Sequence, residues 1–304
     1  MVGDVPRVVP SEQRKPLWLL PNLLSLDAPL VAVVWLYIFA KTWRVQYLPW
    51  AAYISLALVV WVIYVVDRLF DASMGGSNSE KLEARHEFHR KYRRLFSVAA
   101  VVAGVTALAL VVTSMPMTIF GFDIGGGFSS HAILGVIMVL GFFALSIFST
   151  HGPDEIPYAK NVLAGATFAY GTAMVAYVST NQEMWEFFRL HMRELICFAL
   201  LCILNISAID LWEHANRSSD PEIKASDELA LTLPLTLLGA AALVFATQDR
   251  ELTTRPFFYS ILTGAALLHI LNRTRSQFSM DALRVLADVA LLVPFLVFQA
   301  ASQP

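Results

Sequence analysis

Charge is scarce in this 304-residue chain: Asp, Glu, Lys and Arg supply 15% of it, against 57% hydrophobic residues. With a mean hydropathy of +0.58, that composition excludes an ordinary soluble globule. A net charge of −2 gives no reason to expect nucleic acid as a partner. Cysteine is almost absent. Cys197 and Cys202 stand five residues apart in one apolar run, off a common helical face, so neither a disulfide nor a thiolate metal site is expected. Signals of familiar soluble chemistries are missing as well. Arg85-His86-Glu87-Phe88-His89 lacks the HExxH spacing of a zinc protease, and Gly125-Gly126-Gly127 has no P-loop lysine. No apolar segment with a small-residue cleavage site precedes the first long run, which is therefore read as retained.

What the chain does contain is long apolar runs. A bilayer core of about 30 Å needs roughly 20 mainly apolar residues per helix. Nine such runs occur, at about 17–40, 48–70, 95–115, 130–150, 162–180, 195–214, 228–248, 256–273 and 282–299. The expected fold is an all-α integral membrane protein of nine transmembrane helices in one domain, 1–304. It carries a short polar tail (1–16) and two polar cap loops, 73–94 and 212–228. Placing the N-terminus inside puts fifteen Lys and Arg on inner segments and six on outer ones, leaving Arg68 aside. The N-terminus is thus expected in the cytoplasm, and the protein in a cell membrane such as the bacterial inner membrane. Membrane lipids and lipid-soluble molecules are the expected partners.

Two of these runs end in acids. Asp67 and Asp71 close the second; Asp210 and Glu213 close the sixth. Residues spaced i,i+3 or i,i+4 share a helix face, so each pair points one way. Carboxylates at a helix C-terminus also meet the negative end of its dipole, which costs about 0.3–1 kcal/mol each. Something cationic must compensate. Four carboxylates from two helices on one side of the membrane suit Mg²⁺, which takes a few carboxylates together with substrate phosphate oxygens. The same acids could instead be neutralised by Arg68, Arg85, Arg90 and Arg217 in a surface ion-pair network. The corresponding position of the two motifs in the two halves points to a central site.

These motifs resemble those of the UbiA superfamily of intramembrane prenyltransferases. Ile63-Tyr64-Val65-Val66-Asp67-Arg68-Leu69-Phe70-Asp71 is similar to the family's Asn-Asp-x-x-Asp-x-x-x-Asp. Asp210-Leu211-Trp212-Glu213-His214-Ala215-Asn216-Arg217 is similar to its second motif, Asp-x-x-Asp-x-x-x-Asp. Tyr158-Ala159-Lys160-Asn161 resembles the Tyr-Pro-x-x-Lys-Arg segment before helix five. Ile63-Tyr64 stand where the family has its first Asn-Asp pair, and Arg217 where it has a last acid. The layout is similar over about residues 15–300.

The resemblance implies Mg²⁺-dependent transfer of a prenyl group from an isoprenyl diphosphate to a small hydrophobic acceptor. In that reading Asp67, Asp71, Asp210 and Glu213 are the catalytic metal ligands. Arg68, Tyr64, Lys160, Tyr158, Arg217, Asn22 and Asp27 bind substrate. The alternative is a non-catalytic membrane protein of the same kind that binds or transports a lipid or anionic solute. Among the remaining polar residues, Asp27, Asn205 and Asp288 lie inside apolar runs, where acids are functional candidates by default. His86 and His89 are expected as solvated loop residues, and His269 as a packed one.

Overall fold

The computed structural model describes residues 17–74, 84–114, 126–148, 156–180, 184–249 and 253–303. The 1–16 tail and residues 75–83 of the first cap loop lie outside the described residues, as do the side chains of Asp71, Arg85 and His86. Among the described residues every regular element is a helix. In chain order these are α1 (Leu20–Leu23), α2 (Asp27–Thr42), α3 (Trp50–Met74), α4 (Ala84–Lys91), α5 (Arg93–Ser114) and α6 (Gly126–Phe148), then α7 (Tyr158–Tyr177), α8 (Met184–Arg217), α9 (Pro221–Gln248), α10 (Arg255–Thr274), α11 (Met280–Leu292) and α12 (Pro294–Ala301).

Each apolar run of the sequence falls on helix, but the helices are unequal. Four described segments are long and apolar enough to cross a bilayer: Trp50–Phe70, Arg93–Ser114, Trp185–Arg217 and Pro221–Gln248. A fifth arises if Leu17–Leu23 and Asp27–Thr42, bent by 78° at their junction, count together. Among the described residues, four or five of the expected nine are of this standard kind. The reasons are local. Helices α7 and α10 have 20 residues each and carry polar groups, Lys160 and Asn161 on one, Asn272 and Arg273 on the other. The ninth run is split into α11 and α12, with Pro294 opening the second piece.

Helix ends follow from side-chain chemistry. Asp220 caps α9 by accepting from the Glu222 backbone N–H at 2.9 Å, with Pro221 in the first turn where its missing N–H is harmless. Ser279 caps α11 in the same way, accepting from the Ala282 N–H at 3.3 Å. The 212–228 segment, expected as a cap loop, is mostly helix; only Ser218–Asp220 separate α8 from α9.

Small residues let helices approach closely. A Cβ on Gly165 of α7 would lie 2.6 Å from the Ile203 backbone nitrogen of α8. Ala169, Ala173 and Ala176 continue that stripe, all fully buried. Helix α7 thereby stands between α3 and α8, touching both. Helix α11 packs on α2 and α8. Helix α5 buries only Phe96, Ala100, Ala103 and Ala107, a narrow stripe directed at its neighbours α3 and α4.

Candidate functional site

The first polar contact of the site begins at a break in the chain. Ser25 adopts a left-handed backbone (φ 57°) between α1 and α2. A broken helix leaves carbonyls without intrahelical partners, which within a membrane must be satisfied by other donors. Helix α3 supplies them. The Trp61 indole N–H donates to the Leu24 carbonyl at 2.9 Å, and the buried Arg68 guanidinium donates to the Asn22 carbonyl. The Asn22 side chain in turn donates to Asp27 at 2.6 Å. Asn22, Asp27 and Arg68 are thus one cluster joining α2 to α3.

The start of α7 carries the next two links. The Lys160 ammonium lies 3.7 Å from Asp67 of α3 and 5.3 Å from the centre of the Phe142 ring of α6. The next residue, Asn161, is 3% exposed and donates to Asp210 of α8 at 2.7 Å. The two acidic helix tips therefore meet through α7, one contact each.

The last link is Arg284 of α11. It is 5% exposed and donates to one Glu213 oxygen from both Nε (3.2 Å) and Nη2 (2.6 Å). Its Nη1 donates to Asp281 at 3.2 Å. A buried arginine with charged acceptors on two sides is an internal, permanent cation.

Taken in order, α1–α3, α3–α7, α7–α8 and α8–α11 are each joined by a polar contact, Asn22 of α1 bonds Asp27 of α2, and α11 packs back on α2. Helices α2, α3, α7, α8 and α11 line a cavity of about 20 Å³, enough for one water molecule. Its wall is apolar at Ala28, Val31, Phe168 and Leu291, and polar at Tyr64, Asn205 and Asp288. Asn205 donates to the Ala287 carbonyl at 2.8 Å, fixing α8 to α11 there. The Tyr64 phenol lies within electrostatic range of Asp288, Asp27 and Arg68. One helical turn from the cavity, four of its five walls reach the charged circuit: Tyr64 leads to Arg68, Ile206 to Asp210, Asp288 to Arg284 and Val31 to Asp27.

No protein-family model, no curated protein and no solved structure matches this chain. The chemistry of the site must be read from its own residues. Among those described, no three His, Cys, Asp or Glu side chains converge into a metal cage. Mg²⁺ needs less, because one or two carboxylates suffice when phosphate oxygens and water complete its octahedron. Asp67 and Asp210, each met by a residue of α7, suit that role. Glu213, expected as a metal ligand, is instead engaged by Arg284. A carboxylate already neutralised by a buried guanidinium has little field left for a second ion.

Two expected substrate ligands stand apart from the circuit. Tyr158 is exposed, and Arg217 is exposed in the last turn of α8, where its charge complements the helix dipole. Asp220 is used as a helix cap. Sequence reasoning passed over Asn161 and Arg284 as site residues. Arg284 had a usable signal: it stands four residues before Asp288, on the same helical face. His89, expected in solvent, is fully buried, 3.4 Å from Ser25 Oγ and stacked on Phe96 at 4.3 Å.

Away from the charges the interior is sealed. Trp35, Phe39, Phe198 and Phe257 are fully buried and pack ring on ring, with Trp35 stacked on Phe198 at 4.3 Å. The Trp35 indole N–H donates to the Leu291 carbonyl beside the cavity. Beyond this plug lie the His191–Glu194 pair, 3.9 Å apart, and the free thiol of Cys197. From Asp210 back to Glu194 the helix rises about 24 Å, most of a bilayer's thickness. The ring cluster therefore separates the charged circuit from the His191–Glu194 pair towards the other end of α8.

Proposed function

We propose that this protein binds an isoprenyl diphosphate through the charged circuit and transfers the prenyl group to a small hydrophobic acceptor within the membrane. The observation that carries the reading is the circuit itself: a collar of charge around one end of an apolar-walled interior whose other end is plugged. Such a site fits a molecule with an anionic head and an apolar tail. The UbiA-like layout, nine helical spans counting the short and broken ones, a cytoplasmic N-terminus and a place in the bacterial inner membrane belong to the same proposal.

The division of labour follows from charge. Lys160 and Arg68 supply fixed positive charge to a leaving diphosphate, in a setting where low dielectric strengthens it, while Arg284 neutralises Glu213. Asp67 and Asp210 would hold Mg²⁺, which supplies Lewis-acid stabilisation of the departing diphosphate oxygens. As the C–O bond breaks, its electron pair leaves with the diphosphate, and the apolar wall keeps water from the allylic carbon. The acceptor atom bonds to that carbon and gives up its proton; Asp288 and Asp27, with Tyr64 between them, stand where that proton is released. The cavity holds only one water, so substrate binding must part the helices around it.

A second reading, a non-catalytic protein that retains the site for a lipid or an anionic solute, is favoured by one observation: Glu213 and Asp210 already have protein partners. Purified protein in lipid nanodiscs, given a radiolabelled isoprenyl diphosphate, Mg²⁺ and a panel of phenolic and quinone-type acceptors, distinguishes the two. Pyrophosphate release that needs Mg²⁺ and disappears in Asp67→Asn supports transfer. Saturable binding without release supports the second reading.

A further inference from the structure

We propose that the junction of α4 and α5 is a binding site for the headgroup of an anionic phospholipid. This surface lies outside the charged circuit and does not depend on the function proposed above. Arg90, Arg93 and Arg94 are all exposed, and none forms an ion pair or hydrogen bond with a described residue. No Asp or Glu occurs between Phe88 and Phe122; the nearest acid in the chain is Glu87, directly before α4's last turn. Lys91 and Tyr92 complete the patch, with the Lys91 ammonium 5.7 Å from the centre of the Tyr92 ring. Arginine forks match phosphate geometry, and the headgroup region of a bilayer is where tyrosine rings settle.

The patch is held in place from below. His89 and Phe88 of α4 both pack on Phe96 of α5, and His89 reaches Ser25 at the chain break. These contacts fix α4 by its apolar side and turn its cations outward. Directly along α5 from the arginines runs a second exposed stripe: Leu95, Val98, Val101, Val102, Val105 and Leu108. It lies opposite the buried Phe96, Ala100, Ala103 and Ala107, and α5 is apolar and long enough to span the bilayer. A cationic cluster at the head of a lipid-facing apolar stripe has the two-part form of one occupant, a phospholipid with an anionic head and acyl chains. Charge complementarity selects phosphatidylglycerol-type lipids over zwitterionic ones.

The test uses full-length protein in phosphatidylcholine bilayers with a trace of spin-labelled phosphatidylglycerol or spin-labelled phosphatidylcholine. Electron paramagnetic resonance reads the motionally restricted fraction of each. Wild type is expected to prefer phosphatidylglycerol by about threefold or more at low salt. R90Q/R93Q/R94Q should bring the ratio close to one, and R90K/R93K/R94K should keep most of it. No preference in the wild type, or an undiminished preference in the Gln variant, overturns the proposal. So does loss of the preference on adding millimolar pyrophosphate at matched ionic strength, which would assign the cluster to a free phosphate anion. Because the three side chains are exposed, the variants should fold, and an unchanged melting temperature in detergent checks that they do.

Discussion

Lys160 and Asn161 are consecutive residues of α7, yet they meet acids from two different helices, Asp67 of α3 and Asp210 of α8. That relationship turns two separate acidic tips into one site. It also explains why α7 is too polar at its start to be a standard span. Its first turn is occupied by the chemistry of the circuit.

Removing the Asn161 amide should therefore act on Asp210. Asn161→Leu takes one hydrogen bond from the part-buried Asp210 carboxylate, a loss of about 1–3 kcal/mol. Thermal unfolding in detergent should show a lowered melting temperature. Asn161→Leu combined with Asp210→Leu should recover part of it, because the carboxylate that loses the bond is then gone as well.

Arg284 and Glu213 make a sharper test of the same kind. Arg284→Met strands Glu213 and should cost about 3 kcal/mol or more, since breaking one side of a buried pair is far worse than removing both. In a double-mutant cycle, Arg284→Met with Glu213→Gln should be more stable than Arg284→Met alone. Equal stability of the single and double variants would mean that Glu213 does not depend on Arg284.

Gly165 controls how closely α7 approaches α8. With a Cβ placed 2.6 Å from the Ile203 backbone, Gly165→Leu cannot be absorbed by a side-chain rotation. It should destabilise the protein by about 1–3 kcal/mol. It should also weaken any ligand binding at the circuit, because Lys160 and Asn161 move away with α7. Gly171, whose Cβ would meet nothing within 4 Å, is the control: Gly171→Ala should neither lower stability nor weaken binding.

Much of the helical architecture was legible in the sequence, since apolar runs near 20 residues long leave few alternatives. Asp67, Asp210, Arg68 and Asp27 were legible as residues needing polar partners, because charge within or beside such runs is costly and must be answered; Lys160 was singled out by the resemblance of its segment, and Asn22 by its place beside Asp27. The rest depended on tertiary packing. Nothing in the local sequence says that Asn161 faces Asp210, or that Glu213 is met from α11, 71 residues later. His89 was misread because a polar helix between spans reads as solvated, whereas the break at Ser25 gives it a buried place. The segment 212–228 was misread because mixed charge resembles a loop, although Asp220 and Pro221 are helix-start signals.

The central claim is that five helices assemble one anion-and-metal site at the mouth of an apolar interior. Titration calorimetry of a short isoprenyl diphosphate into nanodisc-embedded protein, with and without Mg²⁺, tests it most directly. The account predicts saturable binding that requires Mg²⁺, with one ion per diphosphate, weakened tenfold or more in Asp67→Asn and in Asp210→Asn. Binding that ignores Mg²⁺ and both substitutions, or no binding at all, would contradict it.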